Sequence, residues 1–477
     1  MNTNPIIYLI LVFFVGVALN RNSAGIERPT NSSSSRMEIS YADSFEAGKI
    51  IDRVFCKSDP TQSYALYIPA KVNKSTLPVI YFFDPHADGI LPVKKYKPLA
   101  DQFGFILIGS NNSKNGNDWP TTENICQHLF DDSQARVKIN RKRIYTCGFS
   151  GGAKVAGYMA LKYPEVKGMI ANGAGLPDGT PAGDFNFSFT GIAGEGDMNL
   201  TDLETFNSDL DPTRTRHHFI LFDGKHEWAF ENSMSVAFAG LQLDAMQKAL
   251  IPKDEILIRH YIESSKAKIQ SYSNVKELLK VDQECKLSIS YLDGLNNDAG
   301  RWFKEKMASL ANNALYQKQL QEQKNILVQE QNLKAEYMQH FQMIDMHYWI
   351  QIVKDLQNKS SKISAERGMY RRLLAYLSLA FYSLSNRMIS SDANVEARHY
   401  VELYKIADPS NSEAWYFSAI LHAREKNEPA VEKDLVKATE LGFTDETRMM
   451  QQPEFQNFFS QAVLSGIKSR IHAAKNH

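Results

Sequence analysis

Short apolar runs recur between residues 64 and 223: YALYIPA, LPVIYFFD, GFILIGS, RIYTCGFS, VKGMIANGAG, FSFTGIAG and HHFILFDG. They are rich in Ile, Val, Phe and Tyr, and most end in Gly, Asp or Ser, so they read as strands buried on both faces. The longer stretches between them read as crossover helices. This cadence constrains the fold more than any other feature, because parallel strands need long crossovers and those crossovers must cover both faces of the sheet. The expected first domain is α/β, with a mostly parallel sheet and flanking helices. Such an open sheet carries its functional residues on loops at the carboxyl ends of the strands.

Directly after the strand-like residues 144–147, and before a helix-like stretch at 153–162, stands Gly148-Phe149-Ser150-Gly151-Gly152. A serine hydroxyl is a weak nucleophile and must be presented on a tight strand-to-helix turn; Gly148 and Gly152 leave room where side chains would collide. The Gly151 amide can then face a developing oxyanion. A nucleophilic serine also needs a base and an orienting carboxylate, which in this arrangement follow as acid and then His on later loops. Asp197, in Gly194-Glu195-Gly196-Asp197, follows the run at 187–193 and is the expected acid, with Asp202 and Glu195 in reserve. His226, in Asp223-Gly224-Lys225-His226-Glu227-Trp228, follows the run at 219–222 and is the expected base. His217 and His218 stand at the front of that strand, the wrong end of the sheet.

A second oxyanion donor should come from the turn after the strand at 78–83, which reads Asp84-Pro85-His86-Ala87-Asp88-Gly89. Pro85 has no amide hydrogen, so the expected donor is the backbone of His86, with Ala87 as the alternative. No His-Glu-x-x-His and no phosphate loop ending in Gly-Lys-Ser/Thr occurs, so neither metal nor cofactor is expected.

The segments RIYTCGFSGGAKVAGYMALKYPE, GEGDMN and GKHEW resemble the α/β-hydrolase superfamily over residues 45–250, and within it the polyhydroxybutyrate-depolymerase and feruloyl-esterase-like branch. The resemblance implies Ser150 as nucleophile, Asp197 as orienting acid and His226 as base. Two departures stand out. Asp84-Pro85 replaces the family's common His-Gly at the oxyanion turn, and Ala229-Phe230 follows Trp228 where that branch often has Pro-Gly.

Beyond residue 265 the strand cadence ends and no Pro occurs between Pro252 and Pro409, which permits long helices. Residues 302–357 read as one or two helices, with a packing seam of Tyr337, Phe341, Ile344, Tyr348, Ile352 and Leu356. Within residues 394–442, Ala397, Tyr404, Asp408, Pro409, Ala414, Trp415, Tyr416, Ala419, Ala430, Leu435, Ala438 and Gly442 resemble a tetratricopeptide repeat. A generic helical bundle is the alternative. At the other end, the apolar residues 6–19 are too few for the ~20 a transmembrane helix needs and read as a signal-peptide core, with retention as an anchor the alternative. The expected organisation is a targeting segment at 1–24, a polar linker at 25–44, a hydrolase domain at 45–264 and an all-α, tetratricopeptide-like region at 265–477.

Lys plus Arg equals Asp plus Glu at 54 each, which leaves no large electrostatic term for binding nucleic acid. Membrane contact is expected only through the amino-terminal segment. The functional expectation is an exported serine hydrolase, secreted, periplasmic or membrane-anchored, that cleaves a small or polymeric carboxylic ester, with a protein partner possible at the helical region. A serine peptidase would use the same machinery. A catalytically silent hydrolase-fold scaffold, holding a partner through its helices, is the alternative from another class.

Overall fold

In the computed structural model, the structure describes residues 45–456 apart from 71–75, 342, 344 and 444, together with 466 and 469. The targeting segment, the whole of the linker, and Ile344 of the expected seam lie outside the described residues. The chain divides into two compact units, one running to Glu322 and the other from Gln323 onward.

The first unit is built on eight strands: β1 (Ile50–Phe55), β2 (Ser63–Tyr67), β3 (Leu77–Phe83), β4 (Ile106–Ser110), β5 (Ile139–Phe149), β6 (Val166–Asn172), β7 (Ser188–Gly194) and β8 (His217–Phe222). Their order across the sheet is β1-β2-β4-β3-β5-β6-β7-β8. The β1–β2 and β2–β4 pairs are antiparallel, and every pair from β4–β3 to β7–β8 is parallel. Side chains alternate between two cores: in β3, Ile80 and Phe82 face one, and Val79, Tyr81 and Phe83 face the other. Helices α1 (Ile90–Phe103), α2 (Trp119–Arg136), α3 (Gly151–Lys162), α4 (Leu200–Asp209) and α5 (Glu231–Gln247) connect the strands or follow them. Cys126, Leu129 and Phe130 of α2 join Val155, Ala156 and Met159 of α3 on the β3 Tyr81 face, while Val93, Tyr96 and Leu99 of α1 and Phe238 and Leu241 of α5 cover the other.

Three further helices belong to this unit: α6 (Glu255–Asn274), α7 (Leu278–Leu292) and α8 (Asn297–Ala308). Ile258, Tyr261 and Ile269 of α6, Val281, Cys285 and Tyr291 of α7, and Phe303 of α8 lie in the same core as Ile80 and Phe82. The expected boundary at 264/265 therefore falls inside the first unit, because the apolar faces of these helices are buried against the sheet layer. Tyr291 is the keystone: its ring stacks on His218 of β8 at 3.8 Å, and a Cβ on Gly240 of α5 would lie 2.3 Å from its hydroxyl. Below it, the Arg216 guanidinium pairs with Asp244 and donates to the Tyr291 carbonyl at 2.9 Å, and His218 sits 3.0 Å from Asp244 and 2.8 Å from the Ser290 hydroxyl. Burial opposes ionisation of Asp244, but His218 and Arg216 hold its carboxyl well below the usual range, while burial pushes the His218 imidazole down towards neutrality.

All four cysteines are buried and unpaired. Burial raises each thiol, that of Cys56 and that of Cys285 to about 12.

The second unit is helical. It takes in most of α9 (Ala314–His340), followed by α10 (Met346–Ser361), α11 (Arg367–Ser390), α12 (Asn394–Ala407), α13 (Ser412–Arg424), α14 (Glu428–Glu440), α15 (Glu446–Gln451) and α16 (Pro453–Gln456). Residues 302–357 thus form three helices instead of one or two, with breaks marked by side-chain caps: Asn313 accepts from the Leu315 and Tyr316 amides, and Asp345 accepts from the Tyr348 amide. After the second break the buried face shifts to Trp349, Val353 and Leu356, leaving Tyr348 and Ile352 only partly covered. Ala397, Ala414, Ala419 and Ala438 are fully buried, which brings α12, α13 and α14 close together, and Asn411 and Asn427 cap α13 and α14 after the turns. Among the described residues no helix is long and apolar enough to cross a membrane.

Candidate active site

Strand β5 ends at Phe149 and α3 begins at Gly151, so Ser150 alone makes the turn, with φ 53° and ψ −124°. A non-glycine residue in this region is strained, and the surroundings must hold it there. They do so through two close backbone approaches. A Cβ on Gly148 would meet the Gly152 carbonyl oxygen at 2.1 Å, and a Cβ on Gly152 would meet the Phe83 carbonyl oxygen of β3 at 2.0 Å. Gly152→Ala must push β3 and α3 apart and is expected to cost about 1–3 kcal/mol, read as a lower urea midpoint with an unchanged slope.

The Ser150 hydroxyl lies 2.9 Å from His226 Nε2, and His226 Nδ1 lies 2.9 Å from Asp197 Oδ1. This geometry suits the tautomer in which Nδ1–H donates to the carboxylate and Nε2 accepts from the serine. Asp197 is fully buried. Its Oδ1 also accepts the Asn199 amide at 2.9 Å, while Oδ2 has no partner among the described residues. Space beside it is tight: Gly173 has φ 67°, and a Cβ there would stand 2.9 Å from Asp197 Oδ2 and 3.2 Å from His226 Cε1.

The loop carrying His226 is clamped above all by Asn172, which sequence reasoning does not single out. Asn172, at the end of β6, donates to the Glu227 carbonyl at 3.2 Å and accepts the Ala229 amide at 2.8 Å, while its own carbonyl accepts the Ser150 amide at 2.9 Å. One buried asparagine therefore ties the serine turn to the histidine loop. Trp228 packs against Phe82, Tyr96 and Phe149, and the Phe149 ring stands 4.7 Å from the imidazole of His226. An asparagine at the carboxyl end of a strand is the available signal, but nothing in the sequence says which loops it bridges.

The reserve acids lie elsewhere. Asp202 is exposed in the first turn of α4, and Glu195 pairs with Lys280 of α7 at 3.3 Å. His217 and His218 sit at the start of β8 as expected.

The oxyanion turn differs from expectation. Gly151, as the first residue of α3, has no intrahelical acceptor for its amide and remains available to an anion. The His86 amide, the expected second donor, is instead given to the Asp84 carboxylate at 2.8 Å, and the Ala87 amide goes to the Asp84 carbonyl at 3.2 Å. Asp84 is buried, and its other oxygen accepts the Trp228 indole N–H at 2.8 Å. The Asp84 carboxylate thus consumes the amide that the turn would otherwise offer. Among the described residues no group of three or more His, Cys, Asp or Glu is arranged to hold a metal ion.

Strand order, the single reversed strand β2 next to one edge and a strained serine between β5 and α3 decide the architecture. The fold is that of an α/β-hydrolase. No family model and no curated protein sequence matches the chain. Among solved structures, the chain is similar to a hyperthermophilic esterase from the archaeon Pyrobaculum calidifontis, at 12% identity over 43% of this chain and 87% of that one, with a TM-score of 0.34. A putative dienelactone hydrolase from Klebsiella pneumoniae is similar at 15% identity over 41% and 98%, with a TM-score of 0.32. A ferulic acid esterase is similar at 16% identity over 40% and 94%, with a TM-score of 0.31.

Proposed function

We propose that the protein is a serine hydrolase acting on carboxylic esters. The reading rests on one observation, the unbroken hydrogen-bonded line from the Ser150 hydroxyl through His226 to the buried Asp197. Ser150 Oγ attacks the ester carbonyl as His226 Nε2 takes its proton, and Asp197 holds the imidazole and stabilises its charged form. The negative oxygen of the tetrahedral intermediate takes the Gly151 amide. Collapse of the intermediate expels the alcohol, which receives the proton from His226, and water then attacks the acyl-serine by the same route. The apolar residues 6–19 would carry the enzyme out of the cytoplasm, and the tetratricopeptide-like helices α12–α14 would hold a protein partner.

A second reading, a silent scaffold, draws support from the committed His86 amide. A fluorophosphonate probe separates the two. The full chain is expected to react stoichiometrically, and Ser150→Ala is expected to lose the label. A wild-type chain that stays unlabelled would favour the scaffold.

A further inference from the structure

An oxyanion held by one amide is poorly stabilised, and with the His86 and Ala87 amides both directed to Asp84, a second donor must come from outside the turn. The loop between β4 and α2 runs against it. Lys114 forms an antiparallel bridge with His86, and the Asn115 amide donates to the Pro85 carbonyl at 2.8 Å, so the backbone of this loop is strapped to the oxyanion turn.

From that strap the side chain of Asn115 reaches Gly151. A Cβ on Gly151 would stand 1.9 Å from Asn115 Oδ1, 3.0 Å from its Cγ and 3.4 Å from Nδ2. The carboxamide therefore occupies the space that a side chain next to the nucleophile would fill, which gives a reason for glycine at that position beyond the turn itself. Three other asparagines lie in the same loop, and each is spent. Asn111 donates to the Asp52 carbonyl at 3.1 Å, Asn112 to the Thr61 carbonyl at 3.2 Å, and Asn117 to the Asn112 carbonyl at 3.2 Å. The Asn115 carboxamide alone among them has no hydrogen-bond partner among the described residues, and Asn115 is exposed. With no hydrogen bond fixing its orientation, a half-turn about its last torsion exchanges Oδ1 for Nδ2 and presents an N–H against Gly151, the residue whose amide faces the oxyanion.

We propose that the Asn115 side-chain amide is the second oxyanion donor, a catalytic residue of the esterase reading on which this inference rests. A neutral donor fits that role, because it gives a hydrogen bond to the anionic oxygen that it cannot give as strongly to the less charged ground-state carbonyl, so its contribution appears in kcat. Asp84 then has a complementary part, holding the turn closed so that Asn115 is seated against Gly151.

The test uses the full chain, a short-chain activated ester and a boronic acid that mimics the tetrahedral adduct. Asn115→Ala is expected to lower kcat by ~10²-fold or more with KM near the parent value, and to weaken boronate binding by a similar factor. Asn115→Asp, which sets a negative charge beside the oxyanion, is expected to lose at least as much, and Asn115→Gln to recover part of the loss. A kcat within about threefold of the parent in Asn115→Ala, or a fallen kcat with unchanged boronate affinity, would overturn the assignment. A parent chain that neither turns over the ester nor takes a fluorophosphonate would instead sink the esterase reading itself, and this inference with it.

Discussion

Ser150→Ala is expected to reduce turnover of a short-chain activated ester by roughly 10⁴–10⁶-fold while the far-ultraviolet spectrum and urea midpoint stay near those of the parent, because nucleophile, base and orienting acid act as a unit. The substituted residue still occupies the strained turn, and the close contacts of Gly148 and Gly152 that hold it are untouched. Asp197→Asn should cost about 10⁴-fold, since an amide in place of the buried carboxylate favours the wrong imidazole tautomer. Asp202→Asn, on the exposed face of α4, serves as the matched control and should leave the rate unchanged. Turnover by Ser150→Ala comparable to the parent, measured on protein free of contaminating esterase, would remove Ser150 from the chemistry. A damaging Asp202→Asn beside a tolerated Asp197→Asn would move the acid.

The second large effect is on folding. A chain ended at Ser264 is expected to be recovered only as aggregate or as a species lacking a cooperative unfolding transition, whereas one ended at Glu322 should be soluble and carry the full esterase rate. The shorter chain loses Val281, Leu287, Tyr291, Leu292 and Phe303 from the core that covers one sheet face. At roughly 1.5–3 kcal/mol for each large apolar side chain buried, that loss approaches the whole net stability of a domain, about 5–15 kcal/mol. It also strips the Tyr291 ring from His218 and the Ser290 hydroxyl and Tyr291 carbonyl from the buried His218 and Arg216. Those polar groups would exchange fixed partners for water, and the Asp244 pair they support would lose its shelter. Sedimentation, thermal scans and ester turnover of the two fragments check the expectation, and a folded, active chain ending at Ser264 would show that α7 and α8 are dispensable.

The sheet is legible in the sequence because each strand carries its own signal: an apolar run of the right length closed by a turn residue needs no partner to be recognised. The serine turn is legible for a related reason, since Gly148, Ser150 and Gly152 are neighbours in sequence whose collisions are local. Asp197 and His226 can be named from their places after successive strands, and the structure brings both to Ser150. What cannot be read is whatever depends on which surface meets which. The periodicity of α6–α8 announces an apolar face without saying that it covers β8, so a boundary drawn at 264/265 splits helices that belong with the sheet. At the oxyanion turn the sequence shows an unusual Asp84-Pro85, but only the fold reveals that the carboxylate reaches both the His86 amide and the Trp228 indole, residues far apart in the chain. Asn115 is hidden among similar neighbours, because four asparagines in one loop look alike until their hydrogen bonds are counted.

The four buried thiols have a consequence for handling the molecule. A thiol buried away from water is neither ionised nor reachable, so oxidants and disulfide reagents find no target in the native state, and an oxidising compartment gives the fold no cross-link to lean on. Each becomes reactive only when its own layer opens. Cys285 lies on α7 and Cys147 in the central strand β5, so the order in which these two thiols are captured during unfolding tells whether the helical layer peels away before the sheet unravels or both go together.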